Sequence, residues 1–163
     1  MKYINVGKYV NTHGLKGEIR IISDFRHKKN VFVKGMKLYI GKDKKEFVIN
    51  DYRFHKIYDM VTFTDINNIN EIEYLKGSQV YINEDDLKLD NEIYSGKLLG
   101  FKVICDQKEV GIITEIIDTP ANEVLRINEK ILIPYVDEFI EKIDLDKKEI
   151  YVKSGGIVWN LRY

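Results

Sequence analysis

Residues 11–21 read NTHGLKGEIRI. Gly14 and Gly17 bracket a Leu-Lys pair, with KYINVGKYVN leading in and GEIRIISDF leading out. Both flanks alternate apolar and polar residues, the mark of a half-buried strand. The glycines therefore sit at a tight turn between two strands, where positive φ costs glycine nothing. Two sharper readings fail on spacing or context. A Walker phosphate loop has four residues between its glycines, then Lys-Ser or Lys-Thr and a helix. Here two residues separate the glycines, Glu18 follows the second, and a strand continues. The Gly-x-x-Gly clamp of KH domains is a backbone-gripping loop, but it lies between helices. A plain turn accounts for Gly14 and Gly17. It does not account for His13, Lys16 and Arg20 gathered around them, and these are candidate contacts to RNA.

Short strand patterns continue outward from the turn. MKLYIG, EFVINDYRF and DMVTFTD are rich in β-branched and aromatic residues, and such strands separated by turns point to a small barrel. One helix is expected to interrupt them, over NINEIEYLKG. Asn68 is its N-cap, Glu71 completes a capping box, Ile69, Ile72 and Leu75 form its apolar stripe, and Gly77 is its C′ residue. SQVYIN is the next strand. EDDLKLDNE, residues 84–92, is polar and acidic and marks a boundary. Strands resume in LLGFKVIC, VGIITEIID, EVLRI, ILIP, FIEKIDL and EIYVK, with turns at Asp106-Gln107-Lys108, Asn128-Glu129 and Asp146-Lys147-Lys148. The expected fold is all-β with one short helix, as two small barrels in tandem. Residues 1–83 form the first, 84–91 an acidic linker, and 92–163 the second.

A chain of 163 residues with 44% hydrophobic content suits one domain or two small ones. The single cysteine, Cys105, rules out an internal disulfide and fits a reducing compartment. Residues 1–10 alternate and do not resemble a signal peptide, and no apolar run approaches the roughly 20 residues that span a bilayer. The expectation is a soluble cytoplasmic protein with no membrane partner. Net charge is zero, yet residues 1–83 hold 15 Lys+Arg against 9 Asp+Glu, and residues 84–163 hold 11 against 17. A basic half joined to an acidic half suggests two different partners.

Catalytic patterns are missing from the sequence. His13, His27 and His55 stand apart, and one cysteine cannot build a zinc cluster. Cys105 lies on an apolar strand, where a buried thiol is the ordinary reading. Glu84-Asp85-Asp86 reads as part of a solvated link before it reads as a metal site. No catalytic residue, metal, cofactor or small-molecule substrate is expected.

YINVGKYVNTHGLKGEIRI and INEIEYLKGSQVYI together resemble the N-terminal part of the RimM family of ribosome maturation factors. LLGFKV, VGIITEIIDTPANEVLRI and ILIPYVDEFIEKID resemble that family's PRC-barrel domain, in the same order and over nearly the whole chain. The resemblance implies a six-stranded barrel similar to translation-factor barrels, followed by a PRC barrel. It implies a non-catalytic assembly factor that binds the free small (30S) ribosomal subunit and an S19-type ribosomal protein of the head. Such a factor supports 16S rRNA folding and processing, needs no cofactor, and is expected to be a monomer. The other reading is a general RNA-binding or translation-associated barrel not tied to subunit assembly.

The family often carries two adjacent tyrosines near the start of the PRC barrel, linked to subunit binding. This chain has Ile93-Tyr94. Ile93 keeps apolar area but loses the ring face and hydroxyl, so of the candidate ribosomal-protein contact at Ile93 and Tyr94 either Tyr94 carries the larger share or the contact has moved elsewhere. Beside Ser95-Gly96, Tyr94 is either exposed at the barrel edge or packed in a seam between the domains.

Overall fold

The computed structural model describes residues 1–89 and 92–159. It divides into two compact units, Met1–Asn91 and Glu92–Tyr163. The first is a closed barrel of six strands: β1 (Tyr3–His13), β2 (Glu18–Ile22), β3 (Lys37–Ile40), β4 (Lys45–His55), β5 (Tyr58–Phe63) and β6 (Gln79–Asn83). Their order around the barrel is β1-β2-β5-β4-β3-β6, with all neighbours antiparallel. Alternation directs the fill: Ile19 and Ile21 of β2 are fully buried, as are Val61 of β5 and Val80 and Ile82 of β6.

β1 closes the barrel by pairing along both edges. Tyr3–Lys8 face β6, and Lys8–His13 face β2. The register slips between Asn5 and Gly7 on one edge and between Tyr9 and Asn11 on the other. Such bulges bend a strand and sharpen its twist. At the bend a Cβ on Gly7 would stand 2.8 Å from the Ile22 carbonyl oxygen and 2.9 Å from Ile21 Cγ2. Only glycine allows that approach.

The single helix expected over residues 68–77 is instead two successive 3-10 turns, Ile69–Glu71 and Glu73–Leu75. Ile69, Ile72 and Leu75 are spaced by three, and a three-residue period suits a 3-10 turn as well as an α-helix. The Asn68 side chain caps the first turn by accepting from Asn70 N at 2.9 Å. Glu71 reaches back to Asn67 N, at 3.4 Å, and not to the cap residue itself. Gly77 has φ +92° and donates its N–H to the Tyr9 carbonyl, so the segment ends by joining β1.

Residues 84–86 form a further 3-10 turn that packs on this barrel. Glu84 is buried and 3.4 Å from Lys2 Nζ, while Leu87 is also buried. Within the β2–β3 connection, Lys28–Asn30 make another 3-10 turn and Val31 and Phe32 enter the core. This connection is held by a buried carboxylate. Asp59 is fully buried; Lys28 Nζ donates to its Oδ2 at 3.1 Å and Tyr52 Oη to its Oδ1 at 2.6 Å. The same ammonium donates to the Ser23 carbonyl at 3.3 Å.

In the second unit the strands are β7 (Lys102–Cys105), β8 (Lys108–Asp118), β9 (Glu123–Ile127), β10 (Ile131–Pro134), β11 (Ile140–Asp144), β12 (Glu149–Val152) and β13 (Val158–Trp159). They form one seven-stranded sheet in the order β11-β12-β7-β8-β9-β10-β13. Among the described residues the ring of hydrogen bonds does not close, so this is a half-open barrel around a core that includes Leu98, Phe101, Val103, Leu125, Ile133 and Ile150. β12 and β7 pair in parallel, and the other pairs are antiparallel. Asp106 and Gln107 both have positive φ, at 51° and 67°, the signature of a type I′ hairpin. Cys105 is buried, and burial pushes its thiol pKa up.

Two stability predictions follow from this geometry. Lys28→Ala leaves the Asp59 carboxylate buried without its cation and should cost roughly 2–4 kcal/mol in urea unfolding of the full chain. Adding Asp59→Asn should recover part of that loss, and a loss below about 0.5 kcal/mol would show that the pair does not anchor the connection. In the Gly14–Gly17 turn the φ values are +71° and +102°. A Cβ at Gly14 meets nothing within 4 Å, whereas one at Gly17 lies 2.8 Å from Ile66 Cγ2. Gly14→Ala should therefore cost only the left-handed backbone term of about 1–2 kcal/mol, and Gly17→Ala measurably more. Equal losses would contradict the packing against Ile66.

Candidate functional site

The β1–β2 register sets His13 opposite Glu18 and Asn11 opposite Arg20. With Ile19 and Ile21 turned inward, Glu18 and Arg20 point outward. Arg20 Nη2 donates to His13 Nδ1 at 2.8 Å, which requires Nδ1 to be the unprotonated nitrogen of that ring. Arg53, two strands away on β4, reaches across β5 to grip Glu18 with both Nε (2.9 Å) and Nη2 (2.8 Å). This bidentate bond, ahead of the neighbouring charges, holds the Glu18 carboxyl below its usual range. His13 Nε2 lies 4.0 Å from the same carboxylate. On the other side the Arg20 guanidinium carbon is 5.5 Å from the centroid of the Tyr58 ring.

The outer face of β1, β2, β5 and β4 thus carries one connected row: Tyr58, Arg20, His13, Glu18 and Arg53. It contains two guanidiniums and one carboxylate. Lys16 stands exposed on the adjoining turn, between Gly14 and Gly17. Of the residues singled out in the sequence, His13 and Arg20 are brought together and Lys16 is separate. Glu18, Arg53 and Tyr58 were not singled out. YRFHKIYD alternates and puts Arg53 and His55 on one strand face, but only the β4–β5–β2 register reveals that Arg53 meets Glu18.

The second candidate contact lies at the start of the second unit. Ile93 is half-buried and packs against the core; its carbonyl accepts from Tyr135 Oη at 2.7 Å. Burial, with nearby acids, raises the Tyr135 hydroxyl pKa far above its usual range. Ser95 is buried and its Oγ donates to Glu123 Oε2 at 2.7 Å, while Tyr135 N donates to the Glu123 carbonyl at 2.8 Å. Residues 93–95 are therefore pinned by TPANE and ILIPY, two stretches that looked unrelated to them in the sequence. Tyr94 is half-buried, and its ring lies over Gly96 so closely that a Cβ there would displace the ring.

Among the described residues no group of three or more His, Cys, Asp or Glu side chains could hold a metal ion. No helix among them is long and apolar enough to cross a membrane.

Residues 4–87 match the family model described as the RimM N-terminal domain, and residues 96–156 match that of the RimM PRC barrel domain. A ribosome maturation factor RimM of Lactobacillus delbrueckii subsp. bulgaricus is 35% identical over 94% of this chain and 96% of its own length. The Staphylococcus aureus protein of the same name is 37% identical, covering 91% of this chain and 94% of its own. A crystal structure of a 16S ribosomal RNA processing protein RimM from Pseudomonas aeruginosa covers 93% of this chain and 97% of that one, at 21% identity and a TM-score of 0.48. That likeness is too distant to add to the topology already described. Two family models in tandem, and relatives above 30% identity along nearly the whole chain, carry the assignment: this chain belongs to the RimM family.

Proposed function

We propose that this protein is a non-catalytic assembly factor for the small ribosomal subunit. It binds the free 30S subunit in the cytoplasm as a monomer, engages an S19-type ribosomal protein of the head, and supports folding and processing of 16S rRNA. The observation that carries this reading is similarity across both domains to proteins named ribosome maturation factors. We take residues 1–83 as the RNA-facing barrel, 92–163 as the protein-facing PRC barrel, and 84–91 as the link between them. Glu84 and Leu87 are buried, and the Lys88 carbonyl accepts from Asn30 Nδ2 at 2.9 Å, so this part of the link packs on the first unit.

Charge supports the division, with a smaller magnitude than a cut at residue 83 suggests. Met1–Asn91 holds 16 Lys+Arg and 13 Asp+Glu, a net +3; Glu92–Tyr163 holds 10 and 13, a net −3. The linker acids belong to the first unit and offset part of its excess. The sign of each unit still suits its partner: lysines and arginines for phosphates, and an acidic surface for a basic ribosomal protein.

Sedimentation of the full chain with purified particles tests the reading. It should travel with free small subunits, more strongly with immature ones, and not with whole ribosomes. Equal association with whole ribosomes would favour a general translation-associated barrel. Incubation of naked rRNA with the protein and magnesium should give no cleavage.

Two substitutions address the contacts. Lys16→Ala should leave the melting temperature unchanged and reduce the slope of log affinity for RNA against log salt by about 0.7–0.9, one phosphate's share. An unchanged slope would remove Lys16 from the RNA face. Tyr94→Ala should cut small-subunit association several-fold, while Tyr94→Phe retains most of it. Loss of subunit binding in strict proportion to lost folded protein would make Tyr94 a packing residue only.

A further inference from the structure

β4 has eleven residues, but only Lys45–Val48 pair with β3. Its outer half, Asn50–His55, is exposed at every position and pairs with β5 on one edge. The β4–β5 turn that follows lies beside the end of β2, because Ile21 faces Asp59. This places it at the opposite end of the barrel from the Gly14–Gly17 turn. Phe54 is 57% exposed and Ile57, at the tip, 66%. Phe32 stacks under Tyr52, at 5.9 Å between centroids and 10° between planes, and thereby fixes the inner ring of the pair. Lys28 Nζ sits 5.2 Å from the Phe54 centroid and ties the 25–29 segment to this tip.

Charge is concentrated in the same place. Leaving aside the Arg20–Glu18–Arg53 row on the other face of the sheet, residues 23–34 and 54–59 contain five Lys+Arg and two Asp, and one of those acids, Asp59, is fully buried against Lys28. The strip alone is +3, equal to the net charge of the whole first unit. Arg26, Lys29 and Lys56 are exposed along it. A surface that joins a solvent-facing ring to a row of cations fits a polyanion with its own flat apolar faces. An unpaired RNA strand has them; a duplex hides them in its stack.

We propose that the β4–β5 tip and the 25–29 segment form a platform for single-stranded RNA. Phe54 stacks a base, and Arg26, Lys29 and Lys56 follow the phosphates. This rests on the RNA reading above and adds to it a class of RNA and a location away from Lys16.

Fluorescence anisotropy of the full chain tests it, with a short unstructured RNA oligonucleotide and a duplex of the same sequence as probes. The single strand should bind more tightly than the duplex. Phe54→Ala should weaken single-strand binding roughly tenfold, the scale of one lost stacking partner, while Phe54→Trp retains it and the circular dichroism melt stays in place. Lys29→Gln should lower the salt slope by about 0.7. Single-strand affinity unaltered in Phe54→Ala, or a preference for duplex, would overturn the platform. If Lys16→Ala still flattened the salt slope, the RNA reading would survive that failure. No binding of either probe would defeat both. Loss of subunit binding by Phe54→Ala at unchanged RNA affinity would mean that the tip meets a protein, which also overturns the proposal.

Discussion

The first unit depends on closing its ring of strands through β1. One strand of eleven residues must serve two neighbours, β6 along its first half and β2 along its second. A straight strand cannot do both at this barrel size. The two bulges and the contact of Gly7 with the Ile22 carbonyl supply the bend. Closure satisfies the backbone groups that an open sheet would leave at its edges. It also turns Glu18, Arg20 and Arg53 outward into one row and leaves the far half of β4 projecting past its neighbour β3.

The two buried carboxylates among the described residues each face a lysine. Asp59 meets Lys28 and Tyr52; Glu84 meets Lys2. Removing water from a carboxylate is costly unless an opposite charge and hydrogen bonds replace it. Both pairs tie segments outside the strands to the barrel wall: the β2–β3 connection in one case, the chain's exit from β6 in the other. In the second unit, hydrogen bonds from Tyr135 and Ser95 play the corresponding part, holding residues 93–95 against the sheet.

Much of this was legible in the sequence because alternation is a local signal. The Gly-Leu-Lys-Gly turn, the flanking strands and the tandem all-β layout could be read from residues a few positions apart. The 3-10 turns at Ile69–Leu75 were misread, since apolar residues three apart satisfy either helical period. The acids at 84–86 looked like a solvated link because Lys2, which meets Glu84, lies at the other end of the unit's sequence. For the same reason the candidate site was only half visible. His13, Lys16 and Arg20 are neighbours along the chain, whereas Arg53 and Tyr58 join them only through strand register, and Glu123 and Tyr135 reach residues 93–95 only through folding.

The account's central claim is that the two units face different components of an unfinished small subunit. A cryo-electron microscopy map of the full chain bound to an immature 30S particle tests it most directly. The account predicts the six-stranded barrel against rRNA and the PRC barrel, with Tyr94, against a basic head protein. A map showing the PRC barrel on rRNA and the six-stranded barrel touching protein alone would contradict it.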